Sequence, residues 1–354
     1  MDAFFADGNR GATPSDRTVL AAAIFVAGLF ALPTGCRLAA NHVKGQSPQT
    51  CAECHAEITR QWSTSAHATA WNDPQFVVAT DDRQTQQCLP CHAPKPLLEQ
   101  SPSEPPRLRE SHRECGVDCA ACHAAGCAYA GPYKSWGPHR MKQDATRLPS
   151  AAFCGNCHTV EHEEYQAFYR RSLNLSQPAK QCADCHMPLA TSRLTQGHVL
   201  SLAHPKRTVH DHSFPAWTDE VLRGAVVIGD FHVRRSDRGF EVRFTLTNRG
   251  AGHRIPTGQF GHREMRILVE LLGSDGAVLG QEEQSLLAGS PESLVPGEAR
   301  PFAITAALTR QSEPASVRVL VERVDQDRRF RRTLASCQWP IDSAPVPVSE
   351  SNRR

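Results

Sequence analysis

Apolar and polar residues follow different patterns in the two parts of the chain. Before about residue 220 only short helical stretches are expected, one of them over about 57–70. From about residue 220, short segments alternate apolar and polar residues, which is typical of half-buried β-strands. Seven strands are predicted: AVVIGDFHV (225–233), GFEVRFTLT (239–247), EMRILVELL (264–272), AVLGQEEQSLL (277–287), PFAITAAL (301–308), SVRVLVERV (316–324) and FRRTLASCQW (330–339). Seven short strands in this spacing predict an immunoglobulin-like or fibronectin-like β-sandwich.

An uninterrupted apolar run of 14 residues, VLAAAIFVAGLFAL, occupies positions 19–32. A membrane-spanning helix needs about 20 apolar residues, whereas the hydrophobic region of a secretory signal needs about 7–15. The run ends in LPTGC (32–36), which approximates a lipoprotein cleavage box but has Pro33 where an aliphatic residue is usual. The sequence therefore predicts a leader over 1–40 and export. Lipidation of Cys36, simple cleavage and an uncleaved anchor all remain open.

Composition excludes several classes of protein. A chain of 354 residues with 40% hydrophobic and 21% charged residues is globular, and not disordered or polytopic in a membrane. Lys+Arg 39 against Asp+Glu 37 leaves a net charge of +2, so no basic surface predicts nucleic-acid binding. The cysteines are the informative part of the composition. Of the 14 cysteines, 12 lie between residues 51 and 186, together with many of the 17 histidines.

Ten of these cysteines form five C-x-x-C-H motifs, the signature of c-type haem attachment. They are motif 1 (CAECH, 51–55), motif 2 (CLPCH, 88–92), motif 3 (CAACH, 119–123), motif 4 (CGNCH, 154–158) and motif 5 (CADCH, 182–186). Two thiols three positions apart can reach the two vinyl groups of one porphyrin, and the adjacent histidine can bind the iron. The predicted thioether residues are Cys51, Cys54, Cys88, Cys91, Cys119, Cys122, Cys154, Cys157, Cys182 and Cys185, and the predicted proximal iron ligands are His55, His92, His123, His158 and His186.

Zinc and thiol redox chemistry are the competing interpretations of a single C-x-x-C. Zinc ribbons pair two such knuckles around one ion and do not require histidine at the same offset each time. Here all five motifs carry the histidine, and an odd number of knuckles cannot all close as four-cysteine sites. We therefore predict five covalently attached haem c groups. About 27 residues for each haem cannot bury every ring separately, so the haems themselves are expected to form most of the core.

Full bis-histidine ligation needs five further histidines, and the distal candidates are His67, His139, His162, His212 and His253. His67 would point from the predicted helix toward a neighbouring haem. His139 follows a Gly/Pro-rich stretch that can fold back over a ring. His162 lies one helical turn after its own motif, so it is either the ligand of a neighbouring haem or a solvated residue.

The last two candidates lie beyond the fifth motif. His212 is preferred over His210 within HDHSF (210–214). His253 lies in NRGAGHRIPTGQFGHR (248–263), a long connection between two predicted strands. Loops of this length in compact domains are usually functional or disordered. His253 is therefore either a distal ligand supplied by the second domain or a residue of the domain interface.

These segments resemble the multihaem cytochromes c related to cytochrome c-554 and hydroxylamine oxidoreductase. The resemblance lies in CAECHAEITRQWSTSAHA (51–68), GVDCAACH (116–123), QCADCHMP (181–188) and the GAGHRIPTG loop. It implies a multihaem fold, an electron-transfer role and axial ligation by His67, His139 and His212. The sequence has no C-x-x-C-K motif, which carries the catalytic haem of nitrite-reducing members of this family.

The sequence thus predicts an α+β protein in four segments. They are the leader (1–40), a short-helix pentahaem cytochrome c domain (41–218), an immunoglobulin-like β-sandwich (219–342) and a disordered tail (343–354). The favoured function is a non-catalytic electron carrier, periplasmic or otherwise extracytoplasmic. Its expected partners are other cytochromes or quinol-linked membrane complexes, and the leader or a lipid could attach it to the membrane.

Two other functions stay open. One is an oxidoreductase in which one haem is open to a small nitrogen or sulfur oxyanion. The other is a subunit of an extracellular cytochrome assembly. The number of distal ligands separates carrier from enzyme, because five leave no iron accessible and four leave one.

Overall fold

The computed structural model describes residues 47–101, 104–134, 138–169, 180–196, 201–202, 204–215, 218–222, 224–258, 263–309, 312–325 and 330–341. The predicted leader with Cys36 and the predicted tail over 343–354 lie outside these residues. Among the residues that are described, no helix combines the length and the apolar character needed to cross a membrane.

Short helices and small sheets form the part of the chain that carries the motifs. The helices are α1 (Pro48–Ala52), α2 (Ala56–Ser63), α3 (Ala66–Thr69), α4 (Pro74–Ala79), α5 (Leu89–His92), α6 (Cys119–His123), α7 (Ala151–Cys154), α8 (Thr159–Glu164), α9 (Cys182–His186) and, before the sandwich, α10 (Asp219–Leu222). The strands are β1 (Ala124–Ala125), β2 (Ala128–Gly131), β3 (Met141–Gln143), β4 (Leu189–Arg193) and β5 (Lys206–His210). Strands β1–β3 form one sheet, and β4 pairs with β5 in another.

Local capping explains why motifs 3 and 5 are complete helices. The Asp118 carboxylate accepts a hydrogen bond from the Ala121 amide (2.9 Å) at the start of α6, and Gln181 and Asp184 form a capping box at the start of α9. Side chains at i, i+3 and i+4 share one face of a helix. Both thiols and the histidine of such a motif therefore project to the same side.

The helix expected over about 57–70 is broken into α2 and α3. The hydroxyls of Thr64 and Ser65 donate to the carbonyls of Gln61 (2.7 Å) and Trp62 (2.6 Å), which favours helix termination. Ser65 then caps α3 by accepting from the Ala68 amide at 3.3 Å. The break gives the segment with His67 a direction that a continuous helix would not have.

All seven predicted strands of the second part are present, with ends within three residues of the expected ones. They are β6 (Val226–Ser236), β7 (Gly239–Asn248), β8 (Arg263–Leu272), β9 (Val278–Leu287), β10 (Ala299–Ala306), β11 (Ser316–Asp325) and β12 (Phe330–Pro340). They form two antiparallel sheets, ordered β10-β7-β6 and β12-β11-β8-β9. In the constant-type immunoglobulin arrangement the fourth strand joins the first sheet, whereas here β9 pairs with β8 in the second.

The largest hydrophobic cluster of the described residues lies between these two sheets. It contains 20 buried residues, including Val242 and Leu246 from one sheet and Ile267 and Val319 from the other. The largest described cluster among the motifs has only three buried residues, Ala120, Ala124 and Tyr129. Protein side chains alone do not fill the centre of the motif-bearing part.

Candidate functional site

A cavity of about 3600 Å³ takes the place of a core among the motifs. All ten motif cysteines and all five motif histidines line it. Shared among five motifs, this volume is about 700 Å³ each, within the roughly 300–1,000 Å³ of single-ligand pockets. The thiols and imidazoles of the lining are the groups that bind haem c covalently and through its iron.

Four motif histidines face a second histidine ring. The pairs, with the distance between ring centroids, are His55 and His139 (6.2 Å), His158 and His67 (6.1 Å), His123 and His212 (6.1 Å), and His186 and His253 (6.2 Å). An imidazole nitrogen binds a metal at about 2 Å with its ring centroid about 1 Å behind it, so two imidazoles on one ion have centroids about 6 Å apart. The four pairs thus have the spacing that one iron between two histidines requires.

Backbone carbonyls orient several of these rings through Nδ1. The contacts join His55 to Leu194 (2.6 Å), His92 to Ala70 (2.7 Å), His123 to Ala130 (2.8 Å), His212 to His210 (2.8 Å) and His253 to Arg254 (2.8 Å). A carbonyl oxygen can only accept, so Nδ1 carries the proton and Nε2 keeps a free lone pair. Bonds of this kind fix the tautomer and orientation of metal-binding histidines.

Burial keeps three of the paired imidazoles neutral. Burial, together with the neighbouring partner histidine, lowers the pKa of His67, His186 and His212 to about 4 in each case. A neutral imidazole has the lone pair that coordination needs, because protonation would occupy it. Near neutral pH these three side chains can therefore bind a metal without losing a proton.

His92 of motif 2 has a different environment. No histidine ring faces it among the described residues, and Phe76 of α4 stacks on it, with centroids 3.6 Å apart and ring planes 9° from parallel. Trp71 packs against Phe76 at 6.1 Å, and the guanidinium groups of Arg83 and Arg113 lie 5.4 and 5.8 Å from the Trp71 ring. Three further histidines lie outside the described residues: His42, His198 and His262.

Among the five distal candidates, His162 is the one whose ring does not face a motif histidine within the described residues. Its ring packs so closely on Gly155 that a Cβ there would lie 2.6 Å from it, and its Nε2 lies 3.1 Å from the Gln166 side-chain nitrogen. The other four candidates each face a different motif. His210 also lines the cavity, and its Nδ1 contacts the Met187 carbonyl at 2.6 Å.

Thiols of different motifs touch one another. Hydrogen bonds join Cys51 of motif 1 to Cys119 of motif 3, Cys91 of motif 2 to Cys157 of motif 4, and Cys154 of motif 4 to Cys182 of motif 5. The pKa of Cys154 is raised by its hydrogen bond to Cys182, by burial and by the nearby Cys122 thiol of motif 3. The motifs therefore lie in the spatial order 1-3-4-5, with motif 2 against motif 4. Nothing in the irregular sequence spacing indicates this order.

The loop that carries His253 is anchored to the sandwich by a buried amide. Asn248, at the end of β7, is fully buried, and its side-chain nitrogen donates to the carbonyls of His253 (2.9 Å) and Leu294 (3.0 Å). Ile255 pairs with Leu294 in an isolated β-bridge. The second part of the chain thus presents His253 to a cavity otherwise lined mainly by the first.

Two comparisons with known proteins found a match, one to a stretch of the sequence and one to the fold. The family described as cytochrome c554 and c-prime matches residues 50–124, which contain motifs 1 to 3. A penta-heme cytochrome c552 from Thermochromatium tepidum has a similar fold, with TM-score 0.57 and 18% sequence identity, over 84% of this chain and 100% of that one.

No curated protein matches the chain. A beta-glucuronidase from glycoside hydrolase family 2 aligns with 33% of this chain and 11% of its own at 9% identity, but its TM-score of 0.20 supports no argument. The family match and the fold likeness agree with the haem-attachment motifs that line the cavity. Residues 50–124 thus match the cytochrome c554 and c-prime family, and the fold of the chain is similar to that of a penta-heme cytochrome c.

Proposed function

We propose that this protein is an exported pentahaem cytochrome c that carries electrons between redox partner proteins. The observation that supports this most directly is the set of four histidine pairs at 6.1–6.2 Å in one cavity. Haem c supplies an iron that accepts and releases one electron. The chain's own task is to attach the cofactors, close both axial positions and exclude substrates from those irons.

The contacts between motif thiols support a continuous array. A thioether sulfur is bonded directly to a porphyrin substituent, so motif sulfurs that lie this close together bring the edges of two attached groups together. Motif 4 touches motif 2 through Cys157 and motif 5 through Cys154, and it lies beside Cys122 of motif 3. Motif 4 is therefore the junction of the proposed array.

The direct test is to count the haems and their spin states in the oxidised holoprotein. Pyridine haemochromogen analysis is expected to give five haems per chain, and EPR is expected to assign four of them to low-spin ferric irons. Both expectations follow from five motifs and four histidine pairs. Fewer than five haems, or fewer than four low-spin irons, would contradict the proposal.

Two histidines two positions apart, His210 and His212, offer a matched test of ligation. His212→Ala is expected to convert one low-spin haem into a high-spin haem, because His212 faces His123 at 6.1 Å. His210→Ala is the control and is expected to leave the number of low-spin irons unchanged. EPR of both variants measures the difference, and equal effects would contradict the proposal that His212 is the second ligand of the motif 3 iron.

A second candidate function is catalysis at the motif 2 haem. It is favoured by the environment of His92, which within the described residues faces Phe76 and no second histidine. An iron held there by His92 alone would be open to a small nitrogen or sulfur oxyanion. The irons of the other four motifs would each have two histidine ligands, so catalysis is not proposed there.

This second function predicts one high-spin iron in five, whose EPR signal shifts on addition of nitrite or hydroxylamine. Single alanine substitutions of His42, His198 and His262 distinguish this catalytic function from electron transfer alone. None of the three is expected to change the low-spin count if the iron is open. A fifth low-spin iron that disappears in one of these variants would identify that histidine as the ligand and exclude the open site.

Export and membrane attachment remain predictions. They depend on the leader over 1–40 and on Cys36, which lie outside the described residues. Thioether attachment of haem c belongs to the extracytoplasmic side, which supports export. The mass of the mature N-terminus tests both, since cleavage before a lipidated Cys36 and retention of the apolar run give different values.

A further inference from the structure

The loop over 250–257, which carries His253, is held by the helix that follows motif 4. The Oε2 atom of Glu164, the last residue of α8, accepts hydrogen bonds from the Arg254 backbone amide (3.0 Å) and from the Thr257 hydroxyl (2.8 Å). Only 14% of the Glu164 side chain is exposed. A carboxylate in that environment that accepts two hydrogen bonds makes a strong and directional contact.

These contacts hold the residue that orients His253. The amide of Arg254 donates to Glu164, while its carbonyl accepts from Nδ1 of His253 at 2.8 Å. The Arg254 guanidinium lies 3.8 Å from the second carboxylate oxygen of Glu164 and 5.0 Å from the Phe168 ring centroid. Arg254 is thus fixed on both sides, and the direction of the His253 ring follows from its position.

Two further contacts involve α8 and the helical turn Tyr165–Tyr169 that directly follows it. Gly252 packs on the rings of Tyr165 and Tyr169, 3.5 and 3.4 Å from where a Cβ would stand. Arg263, at the start of β8, lies 3.6 Å from Glu161. Of these residues, Glu164 is the one that contacts both Arg254 and Thr257. The helix after motif 4 therefore supports a histidine that faces motif 5.

We propose that Glu164 is a positioning residue that holds His253 opposite His186, so that the motif 5 iron gains its second histidine only while the sandwich is docked. This inference rests on the proposed function, because it takes His253 as an iron ligand. Without Glu164 the loop keeps its anchor at Asn248 but loses its two hydrogen bonds to α8. His253 would then leave the iron for part of the time.

The test compares Glu164→Ala with Glu163→Ala, an exposed neighbour of the same type on the same helix. In the oxidised holoprotein, Glu164→Ala is expected to add up to one high-spin haem in five and to speed cyanide binding at that haem at least tenfold. Added imidazole is expected to restore the low-spin signal in Glu164→Ala and in His253→Ala. Glu163→Ala is expected to behave as wild type.

The outcomes separate this inference from the ligand assignment beneath it. If His253→Ala adds a high-spin haem and Glu164→Ala does not, only the role of Glu164 is wrong. If His253→Ala changes no spin state, the proposed ligation by His253 itself is wrong. If Glu164→Ala does not assemble five haems, Thr257→Val replaces it in the test. This variant removes the hydrogen bond from the Thr257 hydroxyl to Glu164 at nearly constant side-chain size. Cyanide binding to Thr257→Val at the wild-type rate would overturn the proposal.

Discussion

Replacing Cys154 and Cys157 of motif 4 by alanine is expected to divide the haem array into separate groups. Motif 4 touches motif 2 through Cys157 and motif 5 through Cys154, and it also lies beside motif 3. In stopped-flow reduction the wild-type haems are expected to equilibrate faster than the mixing time. In the variant, at least one group of haems is expected to be reduced more than a hundredfold more slowly than the same haems in the wild type.

The matched control removes a haem from the end of the array. Cys182→Ala with Cys185→Ala also leaves four haems, but motif 5 touches only motif 4 among the described thiol contacts. The four remaining haems are expected to equilibrate as fast as in the wild type. Mass spectrometry verifies four haems in both variants, and the thermal transition of the sandwich verifies that the second part remains folded.

Equal kinetics in the two double variants would contradict the proposed junction. Rapid equilibration without motif 4 would mean that another contact joins motif 3 to motif 5. Slow equilibration without motif 5 would mean that its haem bridges two others. Each result would replace the order 1-3-4-5 by a different one.

The sequence predicts the local features of this protein well because short-range physics determines them. A C-x-x-C-H motif needs no distant residue to be recognised, and strand alternation such as that in 239–247 reflects one buried face. The strand from Gly239 to Asn248 accordingly appears almost where it is expected. Helix breaks are harder to predict, because Thr64 and Ser65 compete for carbonyls that a continuous helix would use.

The long-range pairing of the candidate site could not be predicted in the same way. Local context predicts His67, His139, His212 and His253 as ligand candidates, but their partners depend on how the short helices pack. His162 shows the limit of local reasoning, since its ring packs on Gly155, seven residues earlier, and not on a haem site. Similarly, the ring stacking of Phe76 on His92 joins two helices 16 positions apart and has no sequence signal.

Withholding haem from the full chain is expected to unfold the motif-bearing part and leave the sandwich folded. The sandwich has its own core of 20 buried residues, whereas the motifs surround a cavity of about 3600 Å³. Without haem this cavity is open to water, so the apolar parts of its lining would lose the burial that the cofactors provide. A whole domain is usually stable by only roughly 5–15 kcal/mol, so a loss of burial on this scale is enough to unfold this part.

The chain produced where haem is not attached, with its thiols kept reduced, makes this testable. Amide hydrogen exchange is expected to protect β7, β8 and β11 at close to holoprotein levels. The helices α6 and α9 are expected to exchange at least a thousandfold faster than in the holoprotein, because their burial depends on the cofactor. The control is Cys337→Ala, a sandwich cysteine outside the motifs, which is expected to leave both patterns unchanged in holoprotein and haem-free chain.

Protection of α6 in the haem-free chain would contradict the view that the cofactors form the core of this part. It would mean that the buried pair of Arg109 and Asp118 (2.7 Å), together with the cluster around Tyr129, stabilises the motifs without haem. A buried ion pair is a weak source of net stability, because desolvation of the two charges offsets most of their attraction. Cooperative unfolding of this part alone is therefore the expected result. The sandwich would then persist as an independently folded unit that carries His253 with no iron to bind.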